Sequence, residues 1–204
     1  MYYNSLYNTK QNIYTWQNDI KKFGPYQNLV SDGAGAYQHD GKHAMVYSRL
    51  SRRLRETGHA SFHDYLSWLE TNDGPEWQEF VNALTTNLTA FFREQHHFEI
   101  FASHLQSRPS GTQWKVWCNA ASTGEEPYSI VMTAFEALGS NPSFKLVASD
   151  IDSKVLATAG NGVYRLDSMK GVSQDKMQRF FLKGKGANSG MVRVKPELRR
   201  LIDF

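Results

Sequence analysis

A short, largely apolar run, WKVWCNA (114–120), passes through the turn Asn119-Ala120-Ala121-Ser122-Thr123-Gly124 into EEPYSIVMTAFEALG. A second apolar run, FKLVASDID (144–152), follows and ends in acids. Strand, turn, helix and a second strand closed by an acid form the layout of a nucleotide-type cofactor site, in which small turn residues let a ligand approach the backbone. The turn holds a single glycine, so the G-x-G-x-x-G pyrophosphate fingerprint is absent and a dinucleotide is disfavoured. A cofactor without phosphates, such as S-adenosylmethionine, needs the close backbone approach and a ribose acceptor but no phosphate cradle. Asp150 stands where it could accept hydrogen bonds from two ribose hydroxyls; the other reading of the same residue is an N-cap for the next helix.

The elements that must position these residues are legible from periodicity. KHAMVYSRLSRRLRETG (42–58) reads as an amphipathic helix with Val46, Leu50 and Leu54 at four-residue spacing, closed by Gly58. Arg49, Arg52, Arg53 and Arg55 are expected on one arc opposite that stripe. They form either a solvated face or, because arginine repels arginine, a surface for an acidic partner. Ser61 is an expected N-cap for SFHDYLSWLE, and Pro75 opens PEWQEFVNALT. REQHHFEIFASHL is a further helix. The βαβ text of 114–160 implies a parallel sheet. Beyond it come a helix, SQDKMQRFF, a hairpin around KGKGANSGMVRV, and a last expected strand, LRRLIDF. Residues 1–22 carry neither period and read as an atypical lead-in.

The chain has 204 residues, is 40% hydrophobic and 21% charged, and can bury a genuine core in one domain or two small ones. A single cysteine, Cys118, excludes an internal disulfide framework and a multi-cysteine zinc site. His96 and His97 have no spaced ligand partners, so no metal is expected. The net charge of +3 is too mild to imply nonspecific nucleic-acid binding. No apolar run reaches the ~18 residues of a membrane span, and the first residues lack the pattern of a signal peptide. Cytoplasmic localisation without membrane insertion is the expectation.

Four strings narrow the reading. NALTTNLTAFFRE (82–94), AASTGEEPYSI (120–130), ASDID (148–152) and GVYRL (162–166), in this order and at these intervals, closely resemble the chemotaxis receptor methyltransferases, the CheR-type protein-glutamate O-methyltransferases. The resemblance covers about residues 42–204 and fades through 23–41. It implies an α/β chain: a small N-terminal helical domain (23–85), then a Rossmann-like S-adenosylmethionine-dependent methyltransferase domain (86–204), with an inserted antiparallel β subdomain at about 178–200. It also implies methyl transfer from S-adenosylmethionine, giving S-adenosylhomocysteine, to glutamates of transmembrane chemoreceptors. A glutamate with a pKa near ~4.3 is already ionised at neutral pH, so orientation and removal of water suffice without a general base. By resemblance, Arg93 is catalytic and cofactor-binding; Asn87, Thr89, Glu126 and Asp150 bind the cofactor; Arg49, Arg52, Arg53 and Arg55 meet the receptor surface.

Residues 184–193 fit the G-x-G-x-x-x-G-x-x-R pattern of family members that dock a receptor C-terminal tail peptide. Gly184, Gly186, Gly190 and Arg193 are the docking candidates, with strand addition as the physical mode. A plain glycine-rich turn is the other reading. The text stops before the later strands that the resemblance implies, where further cofactor contacts and an active-site tyrosine belong. The expectation is therefore a C-terminally truncated chain, weakly active or inactive, or a non-catalytic docking module; a complete version is expected to be monomeric.

Overall fold

The computed structural model describes residues 42–72 and 74–204, so the lead-in at 1–22 and the first part of the helical domain lie outside the described residues. They divide into two compact units, one ending at Thr86 and one running from Asn87 to Phe204.

Among the described residues the first unit has three helices: α1 (Lys42–Thr57), α2 (Phe62–Thr71) and α3 (Pro75–Leu84). Val46, Leu50 and Leu54 are buried with Tyr65, Leu66, Leu69, Phe80 and Leu84 in one cluster, each large side chain contributing about 1.5–3 kcal/mol of burial. Ser61 caps α2 by accepting from the Asp64 amide at 3.1 Å, and Pro75 occupies the first turn of α3. Helix propensity, caps and apolar stripe agree here, which is why this unit reads directly from its text.

The arginine arc needs correction. At about 100° per residue, Arg53 falls only ~60° and Arg49 ~100° from Leu50 at the centre of the apolar stripe, so both flank the core instead of opposing it. Arg49 Nη1 donates to the carbonyls of Leu84 at 3.1 Å and Thr85 at 2.7 Å, answering the negative end of α3. Arg53 pairs with Glu76 and Glu56, its side chain only 15% exposed. Tyr65 Oη donates to the same Glu76 at 2.7 Å. The Glu76 hydrogen bond holds the Arg53 guanidinium firmly protonated, and burial pushes the Tyr65 hydroxyl well above its usual range. The outward positions are Arg52, ion-paired with Glu56 at 2.8 Å, and the exposed Arg55.

The second unit is α/β. A parallel sheet has the order β1 (Trp114–Cys118), β2 (Phe144–Ala148), β6 (Ile202–Asp203), with Trp114 to Cys118 abreast of Phe144 to Ala148. Helix α4 (His96–Gln106) precedes β1, α5 (Glu125–Leu138) crosses to β2, and α6 (Ser153–Asn161) follows it. Leu146 and Ala148 join Val131, Met132 and Phe135 of α5 in the core. On the opposite sheet face Trp117 and Val147, register partners, remain exposed.

A second, antiparallel sheet has the order β3 (Val163–Arg165), β5 (Met191–Val194), β4 (Phe181–Lys183). α7 (Gln174–Phe180) leads into β4, and the short α8 (Pro196–Arg199) follows β5. The sheet reaches beyond the expected 178–200: its first strand is the GVYRL string, whose Tyr164 pairs with Val192. LRRLIDF is not one strand. Pro196 starts a helical turn that takes up Leu198 and Arg199, leaving only Ile202–Asp203 to pair with β2.

Candidate active site

The parallel register brings Cys118 and Ala148, the last residues of β1 and β2, side by side, and the following segments stay tied together. The Ser149 amide donates to the Cys118 carbonyl at 2.8 Å and the Ala121 amide to the Ser149 carbonyl at 3.0 Å. Ligands of open α/β sheets bind at this carboxyl end of the strands.

Asp150 joins the two segments. Its Oδ2 accepts from the Ser122 amide at 2.8 Å and its Oδ1 from the Asp152 amide at 2.9 Å. A carboxylate has about four acceptor positions, so each oxygen retains one for a hydroxyl pair. The helix-capping role belongs to Asp152, which accepts from the amides of Lys154 and Val155 at the start of α6. Asn87 reaches the same place, its Nδ2 donating to Asp152 Oδ2 at 2.7 Å. Thr89 is half-buried two residues on.

The turn itself is strained. Ser122 has φ 48°, and its buried Oγ has no hydrogen-bond partner among the described residues. Among the described residues the other two non-glycine positions with positive φ are Phe92 at 54° and Glu94 at 56°, on either side of Arg93. Such conformations cost about 1–3 kcal/mol each and cluster at ligand sites. Here they mark the two segments that carry the candidate residues. Gly124, at φ 97°, starts α5, and a Cβ there would lie 2.8 Å from Tyr164 Oη and 2.9 Å from Ala159 Cβ.

Arg93 and Glu126 are both exposed and share a cavity of about 430 Å³ with His97, Phe98, Phe101 and Ile130. Arg93 is steadied by donating to the Leu88 carbonyl at 3.0 Å. Cys118 Sγ lies 3.9 Å from Glu126 Oε1. Burial first, then the Glu126 charge, push its thiol up to about 11, so it is an inert core group at neutral pH. His96 and His97 are exposed on α4, their rings 4.0 Å apart.

These residues fit S-adenosylmethionine. A carboxylate with spare acceptor positions suits a ribose, and opposite charges in one cavity suit an amino-acid end and a sulfonium. The 119–124 turn holds a single glycine and so lacks the clustered glycines of a pyrophosphate cradle. The site divides accordingly: Asn87 and Asp150 at the start of α6, Arg93 and Glu126 at the cavity. Tyr164 of the GVYRL string also reaches the turn, its Oη donating to the Thr123 carbonyl at 2.7 Å. Ser122 and the left-handed residues beside Arg93 have no sequence signal, because nothing but glycine advertises positive φ.

The docking candidates lie on the small sheet. Arg193 is exposed on β5, the central strand, opposite Val163 and Leu182, so the pairing edges are β3 and β4. Gly184 and Gly190 frame the connecting loop, with the Gly184 amide donating to the Met191 carbonyl at 2.9 Å and the Leu166 amide to the Gly190 carbonyl at 2.8 Å. Gly186 opens a 3₁₀ turn within that loop. A Cβ at Gly184 would fall 2.0 Å from the Asn188 carbonyl oxygen, so the tight loop demands glycine there.

Comparison with known proteins gives the family. Residues 87–204 match the family described as CheR methyltransferase, SAM binding domain, and residues 19–85 match the CheR methyltransferase all-alpha domain. The chain is 51% identical over 178 residues to a chemotaxis protein methyltransferase of Salmonella typhimurium, covering 86% of this chain and 61% of that protein. It is 50% identical over 178 residues to that of Escherichia coli K12, covering 86% and 62%. With chemotaxis protein methyltransferase 2 of Pseudomonas aeruginosa it shares 51% identity over 167 residues, covering 81% and 59%. The chain thus spans about three fifths of the length of the curated relatives it matches. Among the described residues no helix is long and apolar enough to cross a membrane. In sequence and in the architecture of both units, the chain belongs to the CheR methyltransferase family.

Proposed function

We propose that this chain binds S-adenosylmethionine and serves protein-glutamate O-methylation of chemoreceptors in the cytoplasm. The observation that carries the reading is Asp150, whose carboxylate links the end of β2 to the strained Ser122 turn while keeping acceptor positions open. S-adenosylmethionine supplies a methyl group activated by its positive sulfur. The chain's residues do the rest by binding and orientation. Asp150, beside Asn87, holds the ribose; Glu126 attracts the cationic end; Thr89 lines the site; Arg93 fixes the plane of a carboxylate. A receptor glutamate arrives ionised, so no residue has to remove a proton.

Two surfaces serve the receptor in this reading. Arg52 and Arg55 face outward for an acidic helix surface, while Arg49 and Arg53 are taken up by bonds within the helical unit. Gly184, Gly186, Gly190 and Arg193 receive a receptor tail peptide at the small sheet, which raises the local concentration of receptor glutamates. A complete version of the protein acts as a monomer in this reading.

Titration calorimetry of the folded 204-residue chain with S-adenosylhomocysteine tests the cofactor reading: saturable micromolar binding is expected, and Asp150→Ala should weaken it about tenfold or more. A folded chain that ignores S-adenosylhomocysteine yet retains a receptor-tail peptide would be a docking module instead. Arg193→Ala should weaken peptide retention and leave S-adenosylhomocysteine binding alone.

A further inference from the structure

The turn from Ser122 to Gly124 is held from two sides. Asp150 takes the Ser122 amide from the sheet side. On the other side Tyr164 Oη donates to the Thr123 carbonyl at 2.7 Å, and Tyr164 belongs to β3 of the small sheet. The Tyr164 ring also meets Phe91 edge-on, centroids 5.0 Å apart, next to left-handed Phe92 and to Arg93. One side chain therefore touches both segments that carry the cofactor candidates, and its place is fixed by pairing with Val192 on β5. Burial keeps its hydroxyl protonated throughout the working range, so it remains a donor.

We propose that Tyr164 is a positioning residue for the cofactor: through the Thr123 carbonyl it sets the left-handed turn between β1 and α5, without touching the ligand. The inference rests on the reading of that turn as the cofactor turn. Two positive-φ residues, Ser122 and Gly124, flank the carbonyl that Tyr164 holds. A turn in sparsely populated conformations persists when its surroundings over-determine it, and the Tyr164 bond supplies one of those constraints. Tyr128 offers a matched contrast. Its Oη also donates to a carbonyl at 2.7 Å, that of Ala159 in α6, a residue that abuts Gly124 but is no part of the 122–124 turn, and its ring, which meets Tyr164 edge-on at 6.2 Å, is kept in the phenylalanine variant.

The test compares the full chain with Tyr164→Phe and Tyr128→Phe, measuring S-adenosylhomocysteine affinity by calorimetry and thermal midpoint by circular dichroism. Y164F should bind about tenfold more weakly. Y128F should lose a similar amount of thermal stability yet keep its affinity within about twofold. If both variants lose affinity in step with stability, or Y164F keeps full affinity, the positioning role is overturned. Failure of Y164F to fold when Y128F folds overturns it as well, since the bond would then serve the fold alone. An unaltered chain that does not bind S-adenosylhomocysteine overturns the cofactor reading and this inference together.

Discussion

Arg53 and Arg55 stand two positions apart and do opposite work. Arg53 is locked to Glu76 and Glu56 with little exposure, and removing one partner of such a pair leaves a stranded charge at a cost of about 3–5 kcal/mol. Arg53→Ala should therefore lower the denaturation midpoint of the helical unit sharply. Arg55→Ala, at an exposed site, should change stability by less than about 0.5 kcal/mol in the same urea titration. At about 100° per residue the spacing alone sets Arg49 and Arg53 nearer the apolar stripe than Arg52 and Arg55. What the spacing does not carry is the partners that hold them, Glu76 and the Leu84 carbonyl, which are brought in from another helix. At Cys118 the consequence is a pH dependence. Its thiol titrates near 9 when free and is pushed up to about 11 in the fold, so between those values the unfolded chain holds fewer protons than the native one. This contribution to stability is complete below pH ~9 and falls by up to about 1.4 kcal/mol per pH unit as pH rises towards ~11. Urea midpoints of the parent and Cys118→Ala across that window should show the slope flattened in the variant.

Among the elements, the turn into α5 makes the firmest prediction. Gly124→Ala combines positive φ with a Cβ 2.8–2.9 Å from Tyr164 Oη and Ala159 Cβ, and should cost about 2–4 kcal/mol by thermal denaturation. Asp152→Ala should cost about 1 kcal/mol through the lost cap of α6, and more if the Asn87 bond counts. The helices and the β1–α5–β2 unit were legible because period, caps and breakers agree along the text. What was not legible lies where local and global demands part. The 196–199 turn takes up the start of the expected LRRLIDF strand, and left-handed Phe92 and Ser122 are held by tertiary contacts, Ser129 Oγ accepting from the Phe92 amide at 3.0 Å and Asp150 Oδ2 from the Ser122 amide at 2.8 Å. Asp150 was legible as a candidate through its place after a strand; that Asp152, two residues on, takes the cap instead emerges only from the backbone geometry.

At the scale of the molecule the described residues form two cores, one around Leu50 and Tyr65 and one around Leu146 and Tyr128. Leu50→Ala and Leu146→Ala, each at a site at most 2% exposed, should each cost about 2–5 kcal/mol. Fluorescence of Trp68 and Trp77 should report the first loss, and that of Trp114 and Trp117 the second. The parallel sheet carries a different consequence. β2 sits between β1 and β6, yet β6 is made only after the whole small sheet, and its closure depends on Leu146 donating its amide to the Leu201 carbonyl at 2.8 Å. During vectorial synthesis the ribosome releases β1 and β2 while the third strand is still unmade, and the bare flank of β2 becomes a template for a neighbouring nascent chain. The lysines at 115 and 145, exposed register partners on these two strands, are expected to discourage intermolecular pairing until β6 arrives, so replacing both with valine should raise aggregation during refolding, read by light scattering.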